Sequence, residues 1–313
     1  MKTHQTIHRV NPRASRLSRC KSAVLGAAAA AASVLGVSTA RPALAANVLL
    51  QNGNSSVTIN PNSSAGVEDW TINSQNQINQ EWFWFSVGNQ TGQSPLQSLG
   101  TPKVHKMDTT GDGENDTVEL VYPTDDGIQI TVTYSLTGGQ AGSDSSDLTD
   151  SISINNETGK SEKVNFFQYA NFNLGDSTTG QTVNISDKDT ATVTGNGYQA
   201  QTVVSPMAQE YEANTFPNLL NTISSSSVSA VLNDQKNASG DPEWGFEWCT
   251  TLPMCSGSYV ITGDQDITGS AVSVPEPVGG SVALLGVGGM FLSRPRRRDE
   301  DADHRDIVQV GGA

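Results

Sequence analysis

The stretch Asp108-Thr109-Thr110-Gly111-Asp112-Gly113-Glu114-Asn115-Asp116-Thr117-Val118-Glu119 carries the most specific chemical signal in the chain. Counted from Asp108, oxygen-bearing side chains fall at positions 1, 3, 5 and 9, with Gly113 at 6 and Glu119 at 12. That is the spacing by which an EF-hand loop wraps Ca2+. Asp108, Thr110, Asp112, Glu114, Asp116 and Glu119 are therefore the candidate calcium ligands. Thr110 replaces the usual Asp or Asn and the residues after Asp116 read as a strand, so the competing expectation is an Asp/Gly-rich turn without metal. A second group is aromatic. Trp82 with Trp84, and Trp244 with Trp248, are spaced by two and four, so each pair shares one face of a strand. Exposed, such a face stacks on sugar rings; buried, it fills the inside of a sandwich.

The catalytic inventory is thin. His105 is the one histidine between residues 46 and 273, and no Gly-x-Ser-x-Gly accompanies it, so a Ser-His-Asp arrangement has no visible nucleophile. A His-rich zinc site is excluded by count. Glu81, Glu243 and Glu247 lie beside tryptophans, as the carboxylates of a glycosidase or lyase cleft would. Solvated carboxylates on alternating strand positions are the plainer reading. The expectation is a protein that is not an enzyme, with a secreted, calcium-stabilised polysaccharide-cleaving enzyme as the alternative.

The elements that must position these residues are strands. Short runs alternate apolar and polar residues between clusters of Gly, Asn, Asp and Ser at 57–60, 81–87, 117–122, 128–136, 148–154, 163–172, 181–186, 198–204, 228–232, 243–251 and 258–263. Thr124-Asp125-Asp126-Gly127 reads as a hairpin turn, with Gly127 supplying positive φ. Helix is expected at most around 94–99 and 216–223. The fold class is all-β, an antiparallel β-sandwich of jelly-roll-like type.

This body, residues 46–273, holds six lysines and no arginine against 26 acidic residues, a net charge of −20 where the whole chain carries −14. A domain so acidic cannot neutralise phosphates, which disfavours nucleic acid as a partner. Its length suits one domain. Cys249 and Cys255 are its two cysteines; their spacing suits a hairpin tip around Pro253, and a structural disulfide is favoured over two free thiols in an oxidising compartment.

The ends differ from the body in kind. Lys2, Arg9, Arg13, Arg16, Arg19 and Lys21, without an acid, precede an apolar run over 23–37. Small residues then stand at Ala43 and Ala45, so residues 1–45 read as a signal peptide cut before Ala46 by signal peptidase after passage through the translocon. At the other end Pro275-Glu276-Pro277 is followed by an uncharged apolar stretch over 278–292 and by Arg294, Arg296, Arg297 and Arg298. The apolar stretch would enter the membrane with the arginines on the cytoplasmic side. Residues 274–298 resemble the PEP-CTERM sorting signal. That resemblance implies processing by an exosortase-type membrane protease, a membrane-tethered intermediate, and a final place at the cell surface or in the extracellular polymer. The glycine-rich apolar stretch and the tail 299–313 depart from the family pattern. The body is similar to a group of exported PEP-CTERM proteins in 80–85, 146–152, 166–174 and 244–248, a likeness that implies architecture and address but no catalytic residues. The resulting expectation is an exported surface or matrix protein associated with exopolysaccharide.

Overall fold

Alternation in sequence becomes alternation in burial. Along Ser145–Asn156 and Ile128–Gly138 nearly every second side chain is buried and the others face outward, as period-2 strands in a two-layer protein require. The computed structural model describes residues 45–124, 127–254 and 257–269. In chain order the strands are β1 (Val48–Asn52), β2 (Ser55–Asn60), β3 (Gly66–Ile72), β4 (Gln75–Asn76), β5 (Ile78–Val87) and β6 (Ser94–Pro95). They continue with β7 (Lys103–Met107), β8 (Thr117–Val121), β9 (Ile128–Gly138), β10 (Ser145–Asn156), β11 (Glu162–Phe172) and β12 (Gln181–Ser186). The last are β13 (Thr190–Gly195), β14 (Tyr198–Ser205), β15 (Glu210–Thr215), β16 (Asn237–Gly240), β17 (Pro242–Leu252) and β18 (Gly257–Gly269).

They form two sheets. The first runs β1-β2-β3-β5-β11-β17-β15, with β4 on β3 and β6 on β5; the second runs β16-β12-β13-β14-β18-β10-β9-β8-β7. Neighbours are antiparallel except β3 and β5, which meet in parallel at Gly66 and Glu81. The sandwich expectation therefore holds, while each sheet has nine strands where a jelly roll would divide about eight between two sheets. The extra strands include edge pieces such as β7 and β16, whose polar sequences give little alternation. Residues 228–232, expected as a strand, are irregular, and Val228 and Val231 are exposed.

Inner faces meet through aromatics. Phe85, Phe166 and Trp248 lie in one cross-strand row, and Phe83 stacks between Phe166 at 5.5 Å and Tyr134 of the second sheet at 6.3 Å. The outer face of the first sheet is roofed. A 3-10 turn at Leu96–Leu99 lies over Trp82, whose Nε1 donates to Gln97 Oε1 at 2.8 Å. The helix α1 (Asn218–Ile223) lies over Gly245 with Leu219 and Ile223 inward. Both short helical stretches fall where the sequence placed them. Among the described residues the second sheet has no comparable roof over its outer face, where Thr149, Ser151, Thr262 and Asp264 are not buried.

Candidate functional site

Trp82, Trp84, Trp244 and Trp248 are all buried, at 0–1 % exposure. Cross-strand register puts Trp244 on the same side as Glu81 and Ala170, hence opposite to Trp82. One pair lines the inner core and the other lies under the roof of the first sheet, where Trp84 meets Tyr169 edge-on at 5.9 Å. The sugar-stacking reading is corrected: these rings are core, and none has a face to offer.

The 108–119 segment is the connection of the β7–β8 hairpin, closed by Met107 opposite Thr117. Asp116 is buried, and its carboxylate accepts from the backbone N–H groups of Thr109 and Thr110 and from the hydroxyls of Thr109, Thr110 and Thr117 at 2.8–3.1 Å. Burial alone would raise its pKa; these hydrogen bonds outweigh it and hold the group at about 2. Asp108 accepts from Gly111 N–H at 2.6 Å and Gly113 N–H at 2.9 Å, and Asp112 from Glu114 N–H at 3.0 Å. Glu119 stands apart on β8, opposite His105. The six residues thus do not converge as an EF-hand does. The loop uses its carboxylates to tie its own backbone, and no group of three or more His, Cys, Asp or Glu gathers for a metal among the described residues.

Cys249 is exposed on β17, and its expected partner Cys255 lies outside the described residues. So do the sorting residues Pro275, Glu276, Pro277, Arg294, Arg296, Arg297 and Arg298, the apolar stretch 278–292, Ala43, and Asp125 with Asp126 of the expected turn. Ala45 and Ala46 lead into β1. No helix among the described residues is long and apolar enough to cross a membrane.

The glutamates beside tryptophans separate into different roles. Glu243 accepts from Tyr169 Oη at 2.8 Å, Leu220 N–H at 3.3 Å and Leu219 N–H, so it anchors the start of α1. Burial pushes its pKa up, against these bonds. Glu247 faces Glu210 across β15 and β17, and burial followed by that like charge lifts it to about 7, Lys163 opposing. Glu81 points into the core. Its Oε1 accepts from Gln168 and Gln265, whose amides also reach Asp150 Oδ2. Burial holds both Glu81 and Asp150 above the usual carboxylate range.

The open outer face of the second sheet carries acids that the sequence reading passed over. A groove of about 510 Å³ crosses β9, β10, β18 and β14, walled by Thr133, Ser135, Thr149, Ser151, Thr262 and Asp264. On this same face Asp147 of β10 stands opposite Asp266 and one diagonal from Asp264. Burial first, then a hydrogen bond with Asp264 and the charges of Asp264 and Asp266, lift Asp147 to about 7. The Asp147 carboxyl thus keeps its proton to higher pH than an ordinary carboxyl, in contact with Asp264 and on the same face as a row of hydroxyls. A larger hollow of about 600 Å³ near Gly88 and Thr158 holds the Lys160–Glu162 ion pair at 2.8 Å.

No family model and no curated protein sequence matches the chain. The fold does have solved relatives. A bacterial glucoamylase complexed with acarbose superposes with a TM-score of 0.50 at 9 % identity, over 70 % of this chain and 31 % of that one. The chain therefore spans about a third of the glucoamylase it matches. A putative aldose 1-epimerase from Escherichia coli K12 gives 0.46 at 9 % identity, over 72 % of this chain and 99 % of that one. A polysaccharide lyase gives 0.41 at 15 % identity, over 70 % and 33 %. These likenesses concern the fold. The expectation of a body that is not an enzyme is corrected to this extent: the two-sheet fold is shared with part of a bacterial glucoamylase.

Proposed function

We propose that the chain is a carbohydrate-processing enzyme acting on a polysaccharide laid in the groove of the second sheet. The observation that carries this reading is the contact of Asp147 with Asp264, which itself lines the hydroxyl-bearing groove, with Asp147 raised to about 7 by burial and by that neighbour. A protonated carboxyl with a pKa near 7 is what protonation of a glycosidic oxygen at neutral pH needs. Asp147 is the acid, Asp264 is the partner hydrogen-bonded to it, and Asp266 is the carboxylate facing developing positive charge at the sugar. Serine and threonine hydroxyls both donate and accept, matching the hydroxyls of a pyranose chain without demanding one sugar. Asp266, opposite Asp147 across β10 and β18 and acting on it through charge alone, is assigned as the second carboxylate in place of the hydrogen-bonded Asp264.

The address belongs to the same proposal: export through the signal peptide, passage through an exosortase-type protease at the membrane, and residence among surface polysaccharide. Intact mass of the released protein reports whether residues 1–45 and the segment after Pro277 have been removed. Activity is tested by reducing-end release from the organism's exopolysaccharide, comparing the wild type with Asp147→Asn and Asp264→Asn. Both variants are expected to lose at least about tenfold in rate with unchanged far-UV circular dichroism. Release that is absent from the wild type, or untouched by both substitutions, removes the proposal.

A further inference from the structure

Between the sheets, against the inner wall behind the groove, lies a polar cluster that the proposed reaction does not use. It contains Glu81 from β5, Gln168 from β11, Asp150 from β10 and Gln265 from β18, each at most 2 % exposed, inside a core otherwise made of Phe, Trp, Ile and Leu. Two of them interrupt apolar rows: Gln168 stands between Phe166 and Ala170, and Asp150 between Leu148 and Ile152. Room for it is built in. A Cβ on Gly263, directly opposite Asp150, would meet Asp150 Oδ2 at 2.5 Å.

The four side chains close a ring. Glu81 Oε1 lies 2.9 Å from Gln168 Nε2, which lies 3.2 Å from Asp150 Oδ2; that oxygen lies 3.4 Å from Gln265 Nε2, which returns to Glu81 Oε1 at 2.8 Å. What remains is a set of buried oxygens with no hydrogen-bond partner: Glu81 Oε2, Asp150 Oδ1, Gln168 Oε1, Gln265 Oε1, Tyr134 Oη and Thr202 Oγ1. Tyr134 and Thr202 are the cross-strand neighbours of Asp150 and Gln265. Two buried carboxyls with no lysine or arginine beside them, plus orphaned oxygens, cost several kcal/mol if nothing compensates them. Turning each glutamine amide by 180° exchanges Nε2 and Oε1 with no other movement. The four corners of the ring, 2.8–3.4 Å apart along its edges, are then all oxygen, the donor set of a hard cation.

We propose that Glu81, Asp150, Gln168 and Gln265 form an internal Ca2+ site that pins the two sheets together, with Tyr134 Oη available as a further oxygen ligand. Calcium fits better than magnesium because two carboxylates balance its charge, the donors are all oxygen, and a dry core leaves no place for the waters that magnesium retains. The site differs from the 108–119 loop, and it faces inward from the same strands that carry Asp147 and Asp264 outward.

The test is elemental analysis of the full-length protein after refolding with and without calcium and exhaustive dialysis, paired with thermal melting. The expected result is about one calcium per chain and a melting temperature about 5–10 °C higher with calcium at a hundredfold excess over Kd. Asp108→Ala should retain both. The isosteric double variant Glu81→Gln with Asp150→Asn keeps the shape and removes the charge; it should fold, hold no calcium and melt at one temperature in calcium or chelator. A wild type that refolds without bound calcium and melts identically in both conditions overturns the site and leaves two shared protons as the compensation. Calcium that disappears in Asp108→Ala but persists in the double variant overturns it in favour of the loop.

Discussion

Asp147 and Glu243 are both carboxyls raised by burial, but their neighbours give them opposite fates. Glu243 has its oxygens committed to Tyr169 Oη and to the N–H groups that open α1. A group that already accepts three hydrogen bonds has no lone pair aimed at a substrate, so Glu243→Gln is expected to act on stability. The amide can turn one oxygen to these donors while its NH2 opposes another. A loss of about 2 kcal/mol follows, a fall in melting temperature of about 4–8 °C, with turnover per folded molecule unchanged. Differential scanning calorimetry beside the reducing-end assay checks this. A hundredfold loss of turnover at unchanged stability would move the chemistry to Glu243. Asp147 is the reverse case, half-exposed and hydrogen-bonded to another acid, so its replacement by Asn should cost turnover and leave α1 undisturbed.

At the scale of elements, long alternating strands were legible and their decorated edges were not. The expected 181–186 strand matches β12, and 128–136, 148–154 and 163–172 lie inside longer strands, because burial of one face leaves an unmistakable period of two. β7 and β16 escaped notice because an edge strand with little buried surface has no period to show. The tryptophan faces were legible as faces, but which side of a sheet meets solvent depends on what the rest of the chain lays over it, and pairing alone cannot reveal a roof. The internal polar cluster did leave a trace: Asp150, Gln168 and Gln265 each occupy an inward position where the pattern calls for an apolar residue. Gly66 shows how one residue sets an element's path. At φ +60 it opens β3 beside β5, and a Cβ there would lie 2.3 Å from Glu81 O and 2.0 Å from the Trp82 ring. Backbone cannot yield as a flexible side chain can, so Gly66→Ala is expected to cost about 3 kcal/mol or more and to appear as loss of soluble protein or a fall in melting temperature of about 6–12 °C. A melting temperature within 2 °C of wild type would show that β3 and β5 do not meet as described.

For the whole molecule, acidity sets the pH at which the sandwich is most stable. Asp147 and Glu247 titrate at about 7 in the folded chain, far above the carboxyl range of an unfolded one. The folded state therefore binds more protons between about pH 4 and 7, and the stability these groups contribute is full below about pH 4 and lost as pH rises through 7. Asp116 works the other way: its folded value of about 2 makes its contribution full above about pH 4 and lost as pH falls toward 2. The net charge of −20 on the body adds self-repulsion that grows as carboxylates ionise, in the same direction as Asp147 and Glu247. Melting temperature measured in chelator should accordingly peak near pH 4–5, fall toward pH 7 and flatten above it. Salt separates the two causes of the fall. General repulsion is screened at a Debye length of about 3 Å in 1 M salt, whereas the hydrogen-bonded Asp147–Asp264 contact leaves no room for ions between the carboxyls and survives. The slope between pH 5 and 7 should therefore shrink in 1 M salt without vanishing, and Asp147→Asn should reduce what remains. A slope abolished by salt alone would assign the pH dependence to net charge and deny the raised Asp147 carboxyl on which the proposed chemistry rests.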